Sequence, residues 1–388
     1  MNETKMWTGR LVLPDQIVDE GVLLTEGSKI IYAGSRAACP FSATNAEQVD
    51  GWIWPGLIDT HIHGIGGSDV MDGTPEALAV ISQSLAKYGV TGFLATTMTA
   101  EVNRLVEVVE NAVRKAREPQ EALSGARLLG IHLEGPWINP ELKGAQNGEF
   151  VVNPTREQVE RIYHAAQGLL RTVTIAPELP GAAEAIRFLK GQGVTVSAGH
   201  TNAKFAEVEE AIKEGVAHFT HCFNAMRGLH HREPGVVGAA MVHDELSTEL
   251  IADGIHVHPA VMKILYKVKQ EKRIALISDA MRATGMANGE YDLGGQMIQV
   301  RDGMATLPDG TLAGSVLTLN RAVANLVTLS GVPLPDAVRM ASLTPAEIIG
   351  VSARKGQLKT GYDADVTIVS NQFEVLQTFV EGKLVYQK

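Results

Sequence analysis

The sequence predicts an α/β protein, a (β/α)8 TIM-like barrel carrying a small β-sandwich domain built from both termini. Three observations lead there. Eight β-rich runs fall between about residue 56 and residue 280, helical patterns with start and stop signals separate most of them, and both ends of the chain read as short strands and turns. An eightfold alternation of strand and helix over ~250 residues is the pattern of a closed parallel barrel. A doubly wound open sheet shares the local pattern, and the count of eight favours the barrel.

At the start of the chain, Val22-Leu23-Leu24 and Lys29-Ile30-Ile31-Tyr32 flank Glu26-Gly27-Ser28, a hairpin with glycine in the turn. The eight middle runs are Gly56 to His63, Gly92 to Met98, Leu128 to Glu134, Thr172 to Glu178, Val194 to His200, Ala217 to Cys222, Ser247 to Asp253 and Arg273 to Ala280. Thr74-Pro75-Glu76 opens a helix with threonine as N-cap and proline at the first turn, and Gly89 ends it. Thr155 with Gln158 fits a capping box, and Asn202 is expected to cap the run Ala203 to Glu214. At the other end, Asp365 to Val369, Val375 to Val380 and Leu384 to Tyr386 have the β-branched bias of strands. The expected division is therefore 1–54 with 355–388 as the β-sandwich domain and 55–354 as the barrel.

The 388 residues carry a formal net charge of −10 and show no basic tract, which argues against a nucleic-acid binder. A small anion needs only a local cluster of donors and stays allowed. No apolar stretch approaches the ~20 residues of a membrane span, and Met1 to Trp7 does not read as a signal peptide. Two cysteines, Cys39 and Cys222, make a disulfide framework implausible and point to a reducing, cytoplasmic setting.

Barrel enzymes place their chemistry at the C-terminal ends of the strands. Here those ends carry His61 and His63, Glu134, His200, His221 and Asp279, with Glu178 and Asp253 closing the fourth and seventh runs. In His61-Ile62-His63 the strand period of two turns both imidazoles to one side. A lone pair of this kind is more often a satisfied core feature; its weight comes from the other strand ends. Imidazole and carboxylate together suit a divalent transition metal such as Zn, Fe, Mn or Co. Asp279 is placed to act as general base and then general acid, and orienting a ligand histidine is its competing role. His218 cannot share a face with His221 and is assigned to the core or to support of the site.

With these residues in view, a resemblance emerges. Pro55-Gly56-Leu57-Ile58-Asp59-Thr60-His61-Ile62-His63-Gly64 and Gly361-Tyr362-Asp363-Ala364-Asp365 resemble the amidohydrolase superfamily. His132-Leu133-Glu134-Gly135-Pro136, Phe223-Asn224-Ala225-Met226, Arg232-Glu233-Pro234-Gly235, Ala252-Asp253-Gly254-Ile255-His256, Ser278-Asp279-Ala280 and Leu312-Ala313-Gly314-Ser315 resemble its N-acetylglucosamine-6-phosphate deacetylase family. The resemblance spans nearly the whole chain. It implies a homodimer with Glu134, His200 and His221 holding one divalent metal, and His61 and His63 a second that Glu134 bridges. It implies metal-assisted hydrolysis in which Asp279 activates water and then protonates the departing amine, yielding acetate and glucosamine-6-phosphate.

For the phosphorylated amino sugar, the resemblance implies contacts from Asn224, the backbone of Ala225, Arg232, His256 and Leu312, part of the set serving the neighbouring subunit. Gln146 stands where many relatives have a histidine that polarises the substrate carbonyl; its amide can donate a hydrogen bond but cannot titrate. A second metal taking over that role is the expected compensation. Competing readings are a deacetylase of another N-acetylated amino-sugar phosphate, a different N-acyl amide hydrolase, a phosphosugar-binding regulator, and a non-catalytic barrel scaffold. The fourth run ends Ala176-Pro177-Glu178 without the bridging lysine of many binuclear relatives, which favours a Glu134-bridged site.

Overall fold

Eight parallel strands, hydrogen-bonded in chain order, form the centre of the computed structural model, which describes residues 3–119, 122 and 124–388. Met1 and Asn2, the start of the segment read for a leader, lie outside the described residues. The strands are Leu57–Ile62, Val90–Thr96, Arg127–Glu134, Leu170–Ile175, Thr195–Ala198, Val216–Phe219, Ser247–Ile251 and Ile274–Ile277. They are buried almost throughout, as apolar strands must be when helices cover the outside and side chains fill the lumen. The ring closes between the first and eighth strands: Ile62 bridges Ala280, the Asp279 N–H donates to the His61 carbonyl at 2.9 Å, and the His63 N–H donates to the Ala280 carbonyl at 2.9 Å.

All eight expected strands are present, but several end earlier than their sequence runs. The fifth stops at Ala198 rather than His200, the sixth at Phe219 rather than Cys222, and the eighth at Ile277 rather than Ala280. The backbone is the reason. His200, His221 and Asp279 adopt φ of +47°, +29° and +49°, which takes the chain out of the ladder. Non-glycine residues pay steric strain for such angles, and strain of this kind collects at functional sites.

The helix signals fare unevenly. Thr74 accepts the Ala77 N–H at the start of Pro75–Ala86, as its pattern requires. Thr155 accepts the Gln158 N–H ahead of Arg156–Ala165, but Gln158 Oε1 finds no partner among the described residues, so only half the capping box forms. Asn202 does not cap its helix, which runs Phe205–Glu214. Its N–H is taken by Glu178 Oε1 at 2.7 Å, and the helix starts instead where the Lys204 N–H donates to Glu207.

The two termini fold together as one seven-stranded sheet. Thr4–Val12, Ile17–Glu26, Lys29–Ser35 and Glu47–Pro55 meet Val366–Val369, Val375–Val380 and Lys383–Gln387, with Glu47–Pro55 joining the two groups. The expected hairpin turns at Gly27, with φ +54°. Trp7, Leu11, Ile53, Val366 and Phe379 form its apolar core. Gly56 then leads into the first barrel strand at a point where any Cβ would lie 2.1 Å from Thr91 Oγ1, so the close approach requires glycine. Near that junction Lys355 is buried, with Nζ 2.7 Å from Asp365, 2.9 Å from Asp363 and 3.3 Å from Glu381.

A three-stranded sheet, Gly289–Leu293, Gln296–Arg301 and Met304–Thr306, follows the eighth barrel strand and has no counterpart in the sequence reading. Gln296 Nε2 donates to the Ala145 carbonyl at 2.5 Å, tying this sheet to the loop after the third strand over the barrel mouth. Among the described residues no helix is long and apolar enough to cross a membrane.

Candidate active site

Six polar side chains named from the strand ends converge at the barrel mouth, each almost wholly buried. His61 lies within the first strand and His63 just past its end. Their shared inward direction brings His61 Nε2 to 3.4 Å from Glu134 Oε1 and His63 Nε2 to 3.2 Å from Glu134 Oε2. Glu134 is the last residue of the third strand. His200 and His221 reach the same carboxylate from their left-handed positions, with Nε2 atoms 3.2 and 3.1 Å from Glu134 Oε1. Asp279 Oδ1 closes the ring, 3.3 Å from His63 Nε2 and 3.6 Å from His61 Nε2.

The far side of each imidazole fixes its tautomer. Nδ1 of His63 faces the Thr96 carbonyl at 3.3 Å, that of His200 the Leu142 carbonyl at 2.8 Å, and that of His221 the Asn224 carbonyl at 3.2 Å. Nδ1 of His61 faces Glu249 Oε2 at 2.9 Å. Each partner can only accept, so Nδ1 carries a hydrogen and Nε2 is left to face the centre. The Nε2 atoms of His200 and His221 stand 3.1 Å apart, and His61 Nε2 is buried without a hydrogen-bond partner among the described residues.

An array of acceptors facing one another demands positive charge at its centre, and the protonation equilibria express that demand. Burial opposes charge on His61, yet Glu249 and Glu134 hold it well above the usual imidazole range. Burial likewise opposes charge on His63, but hydrogen bonds to Asp279 and Glu134 push it up to about 10. Burial by itself raises Asp279; the His63 hydrogen bond and the charges of His61 and His63 pull it below the ordinary carboxylate range. Imidazole nitrogens and carboxylate oxygens in this number are a ligand set for a divalent ion, and the donor atoms fall into compact groups: Glu134, His200 and His221, beside His61, His63 and Asp279. The residues present fit such a metal.

Around them lies a cavity of about 390 Å³. Asn224, Ala225, His256 and Leu312 line it, together with Met98 and Leu293, which the sequence reading did not single out. Gln146 also lines it, but its amide is already engaged: Nε2 donates to Glu134 Oε2 at 2.7 Å and Oε1 accepts the Thr99 N–H at 2.6 Å. Arg232 is exposed and stands outside the cavity, its guanidinium 2.9 Å from His231 Nε2. Among the described residues no lysine or arginine lines this cavity.

The acids at the ends of the fourth and seventh runs serve the loops. Glu178 binds Asn139, the Thr201 hydroxyl and the Asn202 N–H, while Asp253 Oδ2 meets His256 Nδ1 at 2.6 Å. Sequence reasoning missed Glu249, in the middle of the seventh strand, and Asp59, whose Oδ1 accepts from the backbones of His61 and Ser278 at 3.3 Å each. A signal for Glu249 existed. It is an acid inside the strand Ser247–Ile251, and glutamate is almost never buried unless paired.

Comparison with known proteins agrees with this geometry. Residues 52–385 match the Amidohydrolase family. The chain is 39% identical over 377 residues to an N-acetylglucosamine-6-phosphate deacetylase of Bacillus subtilis (strain 168), covering 97% of this chain and 95% of that protein. It is equally 39% identical over 368 residues to an N-acetylgalactosamine-6-phosphate deacetylase of Escherichia coli O157:H7, covering 95% and 97%. Among solved structures, a mutant N-acetyl-D-glucosamine-6-phosphate deacetylase from Mycobacterium smegmatis in complex with N-acetyl-D-glucosamine-6-phosphate superposes with a TM-score of 0.93 at 32% identity, covering 99% of this chain and 100% of that one.

Proposed function

The chain belongs to the amidohydrolase family, and on that premise we propose that it hydrolyses N-acetylglucosamine-6-phosphate to glucosamine-6-phosphate and acetate. The observation that carries the reading is the convergence of four inward Nε2 atoms on Glu134 beside Asp279, in a cavity large enough for a sugar phosphate. In this reading Glu134, His200 and His221 would hold one divalent metal, and His61 and His63, with Glu134, would hold a second. When bound, the metal supplies Lewis acidity to a water and to the acetamide carbonyl.

Asp279 does the proton work. Held ionised by His63 and His61, its Oδ1 accepts a proton from the attacking water and delivers it to the amide nitrogen as the C–N bond breaks. The water oxygen leaves in acetate, and the amine stays on the sugar. Gln146 holds Glu134 in place, so its amide serves the carboxylate rather than the substrate. Asn224, Ala225, His256 and Leu312 receive the sugar phosphate.

Among the described residues no lysine or arginine lines the cavity of one chain to meet the phosphate. Arg232, exposed beside exposed Leu229, is free to reach a second copy's cavity, which supports a homodimer with shared sites. We assign catalysis to a barrel domain of 55–354 and the remaining 1–54 and 355–388 to the terminal β domain. The free thiols of Cys39 and Cys222 support a reducing, cytoplasmic setting.

Acetate release, measured on N-acetylglucosamine-6-phosphate, its galacto epimer and unphosphorylated N-acetylglucosamine, with and without chelation, tests this. Chelator-sensitive release favouring the phosphorylated gluco sugar is expected. Faster turnover of the galacto epimer would move the assignment to the sister activity, and no release from either phosphate would overturn it.

A further inference from the structure

We infer that Glu249 is a positioning residue that acts through His61, fixing that ring for the metal centre; the inference deepens the metal-site reading above and rests on it. One oxygen of Glu249 makes two contacts that join separate parts of the site. Its Oε2 accepts from His61 Nδ1 at 2.9 Å and from the His221 N–H at 3.0 Å. It therefore couples a side chain of the first strand to the backbone just beyond the sixth, where His221 holds its strained φ of +29°.

The contrast among the four histidines makes the case. His63, His200 and His221 each lean on a neutral backbone carbonyl, whereas His61 alone has a carboxylate behind it. A carboxylate behind a ligand imidazole fixes its tautomer and raises its basicity more than a carbonyl does. The rest of the lumen holds both partners still. His132 sits edge-on to His61 with ring centroids 4.6 Å apart, its nitrogens engaged by the Thr60 carbonyl and the Thr174 hydroxyl. His218 Nε2 faces Glu249 Oε1 at 3.6 Å, and its Nδ1 meets Ser247 Oγ at 2.7 Å. Burying an acid this deeply is costly unless its oxygens are used.

The test is a Zn²⁺ titration of the metal-stripped full chain in competition with a chromophoric chelator, on wild type, E249Q, E249M, H61A and E249M/H61A. E249Q keeps an acceptor but not the charge, and about tenfold weaker binding is expected; E249M removes both, and about 100-fold is expected. Because Glu249 acts through His61, the double variant should bind about as weakly as H61A, whereas an independent structural role predicts additive losses. Circular dichroism and cooperative unfolding identify folded variants, and E249Q decides alone if E249M does not fold. Wild-type Zn²⁺ affinity in folded E249Q, or additive losses in the double variant, would overturn the inference. A wild-type chain that binds no Zn²⁺ would instead remove the metal-site reading itself.

Discussion

Two buried clusters of charge stand at opposite ends of the barrel strands, and they are balanced in different ways. At the N-terminal end, Lys355 brings its own cation to Asp363, Asp365 and Glu381, and Arg127, at the start of the third strand, adds a second against Glu381 at 2.8 Å. At the C-terminal end, Glu134 closes the same strand among four imidazoles and Asp279, and the described residues supply no lysine or arginine to that cavity. Burial penalises charge in both places. The first cluster is complete within the chain and ties the terminal sheet to the barrel. The second completes itself only with protons or a metal, and that incompleteness is what makes it a binding site.

The largest expected effect separates chemistry from structure at the second cluster. Asp279→Asn should lower kcat by about 10³-fold, since the amide cannot carry the proton. Steady-state kinetics beside metal analysis check this; a variant that keeps wild-type kcat would remove Asp279 from the reaction. At the first cluster, Lys355→Met leaves the buried Asp365 without its cation and should cost about 3–5 kcal/mol in urea unfolding, with activity per folded molecule unchanged.

A pH series on the metal-stripped protein sharpens the contrast. His63 is raised from 6.5 to about 10 on folding, so the folded state holds the extra proton between those values. That stabilisation is fully present below pH 6.5 and is lost as pH rises towards 10. Thermal unfolding should show the decline in the stripped protein and little of it after Zn²⁺ is restored, because the metal replaces the protons. Equal pH dependence in both forms would sink this account. The smallest effect belongs to Lys29, 48% exposed and 2.9 Å from Asp363 at the rim of the first cluster. Lys29→Ala should cost only about 0.2–1 kcal/mol in the same urea assay, since solvent screens the pair.

Much of the architecture was legible in the sequence because parallel barrel strands are apolar runs with polar ends, a pattern that needs no knowledge of the partners. All eight strands and the six convergent side chains, from His61 to Asp279, were found this way. What failed depended on competition between groups distant in sequence. Asn202 has the chemistry of a cap, but Glu178 holds its N–H and Glu141 its side-chain amide, and the helix begins only at Phe205. Gln158 has the spacing of a capping box, yet among the described residues its Oε1 finds no partner.

The sequence by itself determined that His61 and His63 share one direction, because side-chain direction follows the local period of two. It also determined the metal-ligand chemistry, because imidazole and carboxylate at strand ends have few other uses in such number. Only the tertiary structure decided that Glu249 stands behind His61, that Gln146 is held on Glu134, and that Arg232 lies outside its own chain's cavity. Each of those relations joins strands or loops far apart in the chain. Barrel closure sets the distances between them, and no local pattern encodes that.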